Sequence, residues 1–377
     1  MSGRGFDDTL RPERQNPVGM LDVDQGRCAA RGDATALTPA TSSAGQGGQT
    51  VRSQWEAAAR NYDADGNRRW FAFDPAVPQF LSYGGGTQSA ALALMSCAGE
   101  LPRLSAVIFA DTQGELPETY EYAEYVRGHL EQAGIPFVVV TAGSLEEALL
   151  SPTPTSANAT PPAHVVNPDG TLGRINDYRC SYDFKRRLVT RAVKQLVGGR
   201  GAWKRATVEQ WMGFSADEVH RCKQPVECRC GHPLAKHASG TCEKCSCERF
   251  DRWQRNVFPL VAMRFTRQRT IRWFAENGHP EPPRSACWFC PNSSNARWRY
   301  LEAEHPDLFA RACLIDETIR EGGSFNRRGR EEFHGRLYLH PSMVPLRDAD
   351  LRDKEQVLAD DYGMAQLFDC TADSCGT

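Results

Sequence analysis

Cysteine is the residue whose placement says most about chemistry in this chain. Fourteen occur in 377 residues, and most are clustered. The densest stretch, "CKQPVECRCGHPLAKHASGTCEKCSCERF" from Cys222, holds six cysteines and two histidines. Two ligand pairs, CxCGH…H and CxxCxC, face each other there across a short loop. Soft thiolates and imidazoles at such spacing are the donor set of a tetrahedral Zn2+ site, structural rather than catalytic in role. Cys230, His237, Cys242 and Cys245 are the favoured ligands, with Cys228, His232 and Cys247 as rivals. A second pair, Cys287 and Cys290 in "SACWFCPNSSNARWRYL", is a CxxC followed by proline. That spacing puts two thiols on one metal centre, and Cys-Pro is common beside iron–sulfur clusters; a zinc site and a redox dithiol are the alternatives. A third pair, Cys370 and Cys375 in "FDCTADSCGT", would make a swinging dithiol, or else stands on a frayed end.

The other chemistry-bearing stretch is "FLSYGGGTQSAALALMSC", Phe80 to Cys97. A short apolar run meets three glycines and then a helix-like run. Such a turn leaves backbone N–H groups free at a helix N-terminus, where the dipole attracts an anion, most often phosphate. Gly84, Gly85 and Gly86 allow a close approach, and Ser89 supplies a hydroxyl in the first turn. The loop has neither GxxxxGK[ST] nor GxGxxG, so it is neither a Walker A loop nor a dinucleotide fingerprint. A plain strand-to-helix turn is the alternative.

These residues need a scaffold. Forty per cent hydrophobic residues suffice for a core, and a net charge of −2 argues against a strongly basic nucleic-acid binder while leaving room for a local basic patch. No run of 18 apolar residues spans a membrane, and the N-terminus carries no secretory h-region. A cytoplasmic, reducing setting follows, in which clustered cysteines read as metal or redox sites.

Residues 1–54 are rich in Gly, Ser, Thr, Gln and Arg and read as a disordered tail, with Cys28 incidental. From about 78 the text alternates: "QFLSY", "LSAVIFAD" and "IPFVVVTA" read as buried strands, and "SAALALMSCAG", "LPETYEYAEYVRGHLEQAG" and "SLEEALL" as helices. Residues 151–177 read as a long irregular loop. A helix "DFKRRLVTRAVKQLVG", a strand "ATVEQWMGF", the cysteine-rich insert 222–253 and helices at 267–277 and 295–320 follow. The fold expected is α/β: a Rossmann-like, doubly wound parallel sheet over 78–340, with a small zinc-binding insert at 222–253, the disordered N-terminal tail, and a C-terminal tail at 341–377 carrying the cysteine pair. The glycine loop and Asp111 both fall at the carboxyl ends of strands.

"SYGGGTQSAAL" resembles the PP-loop of the adenine nucleotide α-hydrolase (ATP pyrophosphatase) superfamily, whose common form is SGGxDS. Within it the chain is most similar to phosphoadenosine-phosphosulfate (PAPS) reductases and their relatives, some of which also have glutamine where Gln88 stands. "DTQGELPETY" resembles their DTGxxxPETY, "YRCSYDFKRRL" their cysteine–basic segment, "QWMGFSADEVHR" a WxGxxxxExxR segment, and "NVFPLVAMRFTRQRTIRWFAENGHPEPP" a Pro-Leu, helix and Gly-x-Pro stretch. The resemblance runs from about 78 to 300 in consistent order. It implies an adenine nucleotide, ATP or PAPS/APS, held by Ser82, Gly84, Gly85, Gly86, Gln88 and Ser89, with Asp111 near the ribose or a metal such as Mg2+. Asp111 as an ordinary turn residue is the alternative. Lys185 and Arg221, in the family-like segments, become the favoured anion clamps over Arg179; Arg186 and Arg187 read as a solvated helix face. Glu218 and His220 beside Arg221 would bind substrate or simply pair their own charges.

Cys180 stands where related APS reductases carry tandem cysteines for a [4Fe–4S] cluster, but position 179 is arginine. Three-cysteine clusters with an open iron are a feature of PP-loop sulfur-transfer enzymes. The resemblance therefore implies [4Fe–4S] on Cys180, Cys287 and Cys290. Cys375-Gly376 echoes part of the reductases' ECGxH tail without its glutamate or histidine. The leading reading is an enzyme in which ATP adenylates an acceptor oxygen, a nucleic acid such as tRNA or DNA being the acceptor, and sulfur from the cluster or a persulfide displaces AMP, with a cysteine desulfurase-like donor. One alternative is reduction of PAPS or APS by Cys375 with a thioredoxin-like partner. Another is a zinc-containing nucleic-acid-binding protein with a degenerate nucleotide site.

Overall fold

The computed structural model of the chain describes residues 50–60, 76–151, 159–176, 178–198, 208–222, 254–320 and 335–353. In chain order the elements are α1 (Val51–Arg60), β1 (Gln79–Tyr83), α2 (Thr87–Cys97), β2 (Ala106–Asp111), α3 (Pro117–Gln132), β3 (Phe137–Thr141), α4 (Leu145–Leu150), β4 (Ala163–Val166), β5 (Leu172–Ile175), α5 (Arg179–Ser181), α6 (Arg187–Leu196), β6 (Val208–Met212), β7 (Gln254–Val257), α7 (Pro259–Ala262), α8 (Arg267–Glu276), α9 (Asn295–Glu304), α10 (Pro306–Ile319) and β8 (Arg336–Tyr338). A π-helical turn, Tyr182–Arg186, joins α5 to α6.

Five strands form one sheet in the order β3-β2-β1-β6-β7, and every pairing in it is parallel. This is the Rossmann-like α/β sheet that the alternating apolar runs imply. Alternation along the strands divides the core. Leu81, Tyr83, Val107 and Phe109 face α2, α3 and α8, whereas Phe80, Ala106, Ile108 and Ala110 face Val189, Ala192 and Val193 of α6. Helix α2 is apolar on nearly every side because it is buried on nearly every side: Thr87 and Ser89 through Ser96 are all inside. Pro117 opens α3, and Ser144 caps α4 by accepting the Glu147 N–H at 3.1 Å.

A second apolar core lies beyond the sheet. Leu116, Leu149, Phe184, Trp288, Phe289, Trp298, Ile315 and Leu337 are among its buried members, and Cys180 and Cys287 sit against it.

Four details differ from the sequence reading. The stretch 151–177 is not wholly irregular: β4 and β5 form a hairpin turning at Asn167–Thr171, and β8 adds a third antiparallel strand. Its "NPDG" is a turn signal between two runs too short and mixed to read as strands. Strand β3 is half-buried throughout, because it is the edge of the sheet. The helix expected over 295–320 is two, broken between Glu304 and Pro306, where proline cannot continue α9 but suits the start of α10. Finally, α1 begins inside the stretch read as tail. Val51 and Trp55 are buried, and the Trp55 ring lies 5.8 Å from Trp211 at 38°.

Candidate active site

The strand order reverses between β1 and its neighbours β2 and β6, which opens a crevice at the carboxyl ends of these strands. The glycine loop fills the turn from β1 into α2. Gly85 has φ +78, and a Cβ there would stand 2.7 Å from Thr119 Cγ2. Gly86 is the N-cap of α2 and extended, with no side chain capping the helix. The first-turn N–H groups are therefore available to an anion. Ser89 is buried and folds the loop onto the helix: its Oγ accepts from the Gly84 N–H and donates to the Gly86 carbonyl, each at 3.1 Å. Ser82 accepts from Gln210 Nε2 at 2.9 Å, a brace between β1 and β6. Gly213, just past β6, is demanded by proximity, since a Cβ would lie 2.8 Å from the Ser89 backbone nitrogen.

Gln88 turns away from the loop. Its Nε2 donates to Glu218 Oε2 at 3.0 Å, and Glu218 completes a capping box with Ser215 over the 3-10 turn Ala216–Arg221. Arg221 pairs with Glu218 and stacks 4.4 Å above the Phe214 ring, while His220 is exposed. This group pairs its own charges. Asp111 likewise serves its own turn: Oδ1 accepts from the Gln113 N–H at 2.7 Å and from the Tyr120 hydroxyl at 2.8 Å.

The centre of the site is Glu115, buried at the start of α3's approach. Oε1 stands 3.1 Å from Lys185 Nζ, and Oε2 accepts from Ser285 Oγ at 3.0 Å. The same Ser285 hydroxyl lies against the Gly84 carbonyl, its single proton shared between the two acceptors. One carboxylate thus ties the glycine loop to Lys185. Burial works against the lysine's charge, but Glu115, with Cys287 and Cys180, outweighs it and raises the pKa above the ordinary lysine value.

The π-turn places Lys185 beside the thiols. Cys287 Sγ lies 3.5 Å from Thr112 Oγ1, and the CxxC turn docks on the β2–α3 loop through the Trp288 N–H to the Gly114 carbonyl at 2.9 Å. Arg297 pins the approach to that turn by donating to the carbonyls of Arg284 (3.1 Å) and Ala286 (2.7 Å). Burial, then Cys287 and Cys290, pushes the Cys180 thiol up to about 12. Burial pushes Cys287 up to about 11, with Lys185 opposing it. Cys290 is raised by burial too.

The structure therefore brings Cys180, Cys287 and Cys290 within electrostatic reach of one another. Among the described residues no three His, Cys, Asp or Glu side chains gather to hold one ion. The three thiols fit an iron–sulfur cluster or zinc in donor type. Cys230, His237, Cys242, Cys245, Cys228, His232 and Cys247 lie outside the described residues, as do Cys28, Cys370 and Cys375; Cys222 at the head of the insert is buried.

Sequence reasoning missed Glu115, Ser285, Thr112 and Arg297. Glu115 stands inside "DTQGELPETY" and Ser285 two residues before Cys287, but nothing in either stretch says that they meet. Among the described residues no helix is long and apolar enough to cross a membrane.

No family model matches the chain, and no curated protein matches it. Among solved structures it is similar to the U34-tRNA thiolase NcsA from Methanococcus maripaludis with its [4Fe-4S] cluster, at a TM-score of 0.35 and 11% identity, over 75% of this chain and 84% of that one. The parallel strand order, with the glycine loop at the β1–α2 junction, gives this chain a Rossmann-like α/β fold.

Proposed function

We propose that the chain is an adenine-nucleotide-dependent sulfur-transfer enzyme whose acceptor is a nucleic acid. The observation that carries this reading is the bridge from Gly84 through Ser285, Glu115 and Lys185 to the thiols. An anion-binding loop and a set of soft donors share one buried carboxylate, an arrangement suited to a reaction needing both at once.

In this reading ATP lies along the crevice with its phosphate end at the amides of Gly85, Gly86 and the first turn of α2, its Mg2+ accompanying the phosphates. The acceptor's oxygen attacks the α-phosphorus, the α–β bond breaks, and pyrophosphate leaves into the glycine loop. Hydrosulfide, freed by a thiol reductant from the persulfide of a donor protein of the cysteine desulfurase class, then forms a bond to the activated carbon as AMP departs with the oxygen. The reductant's thiols, oxidised to a disulfide, supply the two electrons that take persulfide sulfur to sulfide, and the transfer to carbon is itself redox-neutral. A [4Fe–4S] cluster on Cys180, Cys287 and Cys290 would supply a place for that sulfur before transfer. Lys185 contributes a fixed positive charge between loop and thiols, held by Glu115. Ser89 and Gly213 keep the loop folded, and Gln88 and Arg221 brace its rim.

The test is anaerobic purification with iron, zinc and acid-labile sulfide analysis, followed by assays for pyrophosphate and AMP from ATP and for sulfite from PAPS. Iron, sulfide and pyrophosphate release are expected. Zinc without iron would remove the cluster from the account. Sulfite release without ATP cleavage would replace the reaction by the thiol-dependent reduction.

A further inference from the structure

We propose that Tyr178, Tyr182 and Arg186 form a stacking platform on which a single-stranded nucleic acid lays its bases beside the thiol set. The inference rests on the reading that the acceptor is a nucleic acid, and it names the surface that would hold the strand.

The platform follows from the local helix geometry. The Arg187 N–H donates to the Tyr182 carbonyl, five residues back. Over this π-turn, residues five apart share a face, so Cys180 and Lys185 both turn inward. Tyr182 and Arg186, four apart, remain outside, and Tyr178, the N-cap residue before α5, is exposed as well. π-Turns inside helices are rare and recur at functional sites. Tyr178 is 48% exposed and Tyr182 45%, although each is a large aromatic two residues from Cys180. The Arg186 guanidinium lies 5.7 Å from the Tyr182 ring centre. Such an arginine–aromatic pair offers a flat face to a base and a charge to the adjoining phosphate.

The surroundings have the matching charge. Arg179 is exposed between the two tyrosines, and exposed Arg174 on β5 bonds to Asn292, two residues after Cys290. Asp183, the described acid of this helix, is buried and engaged by Arg187 at 3.1 Å. A chain with net charge −2 has no general attraction for nucleic acid, so binding must come from a local combination of stacking and a few cations. Single strands suit this better than duplex, because only unpaired bases present a face to stack.

The experiment uses the full chain and a fluorescently labelled short single-stranded RNA, its DNA counterpart and a duplex, read by anisotropy across salt concentrations. The double variant Tyr178→Ala/Tyr182→Ala is expected to weaken single-strand binding by about tenfold or more, with Tyr→Phe at both positions restoring it. Arg186→Ala is expected to lower the salt slope by about one. ATP affinity is unchanged in all of them, and whichever strand binds identifies the acceptor as RNA or DNA. If the double variant binds like wild type, the platform is wrong while the nucleic-acid reading stands. If wild type binds ATP but no strand, the nucleic-acid reading fails and the platform with it. On the wild-type protein, an iodouracil-substituted strand is expected to crosslink at Tyr178 or Tyr182; crosslinks confined to residues 222–253 would also overturn the platform.

Discussion

Glu115 Oε1 and Lys185 Nζ, 70 residues apart in sequence, stand 3.1 Å from each other, and the carboxylate side chain is 1% exposed while the lysine is 34% exposed. The asymmetry matters. The lysine keeps part of its hydration, whereas the glutamate depends on its two partners for compensation.

Removing the lysine alone strands that carboxylate. Lys185→Met is expected to destabilise the fold towards the lower end of the ~3–5 kcal/mol typical of a broken buried pair. Adding Glu115→Gln should recover a good part of it. Denaturant unfolding of the two single variants and the double variant measures the coupling directly. Pyrophosphate release should stay low in all three, because the bridge is absent in each.

Gly213→Ala tests how tightly β6 approaches the loop. The added methyl would meet backbone atoms of Ser89 at 2.8 and 3.1 Å and of Gln88 at 3.2 Å, and backbone cannot step aside as a side-chain tip can. A loss of about 1–3 kcal/mol in stability is expected. Nucleotide affinity should fall more than stability predicts, since the first turn of α2 is displaced. Calorimetric titration with ATP, set beside a melting curve, checks this.

Cys287→Ser and Cys290→Ser separate the two halves of the site. Each is expected to abolish iron and acid-labile sulfide while leaving ATP affinity within about twofold, since Ser285 and Glu115, rather than a thiol, make the contacts with the loop and with Lys185. Metal analysis of anaerobically purified variants, with nucleotide titration of the same samples, decides it. Iron retained in both would remove these thiols as ligands.

Acid stability should depend on Glu118. It accepts from the Tyr300 hydroxyl at 2.6 Å and His305 Nε2 at 2.7 Å, joining α3 to α9 and its end. Burial raises its pKa, but these bonds outweigh burial and the carboxyl is held below its ordinary value. A depressed carboxyl contributes stability above its unfolded pKa of about 4.3, and that contribution is lost as pH falls through the folded value. Glu118→Gln should flatten the acid limb of a melting-temperature profile while changing the neutral limb by a small constant. An unchanged acid limb would refute the assignment.

The sheet was legible because parallel strands buried on both faces are nearly continuous apolar runs, as "AVIFAD" is, and because glycine and proline mark the helix ends. The loop was legible for the same reason: Gly84 to Gly86 stand between two unmistakable elements. The hairpin β4–β5 was not, since "AHVV" and "LGRI" are too short to carry a pattern. At the site, the cysteines announced themselves by type and spacing. Glu115 did not, because an acid among the many acidic residues of the chain becomes special only when the fold removes it from water. The Gln88 and Arg221 side chains spend their hydrogen bonds and charge on Glu218 rather than on the crevice, a pairing that no local pattern announces.

The contact of Trp55 with Trp211 bears on where this protein can be cut. Trp211 lies next to the last residue of β6 with no exposed surface, and the ring that shields it comes from a helix that precedes the sheet. A shortened chain starting at the first strand would retain every residue of the crevice and still lose that cover. It would expose an indole on the face of the strand that ends at Gly213, and so invite aggregation beside the glycine loop.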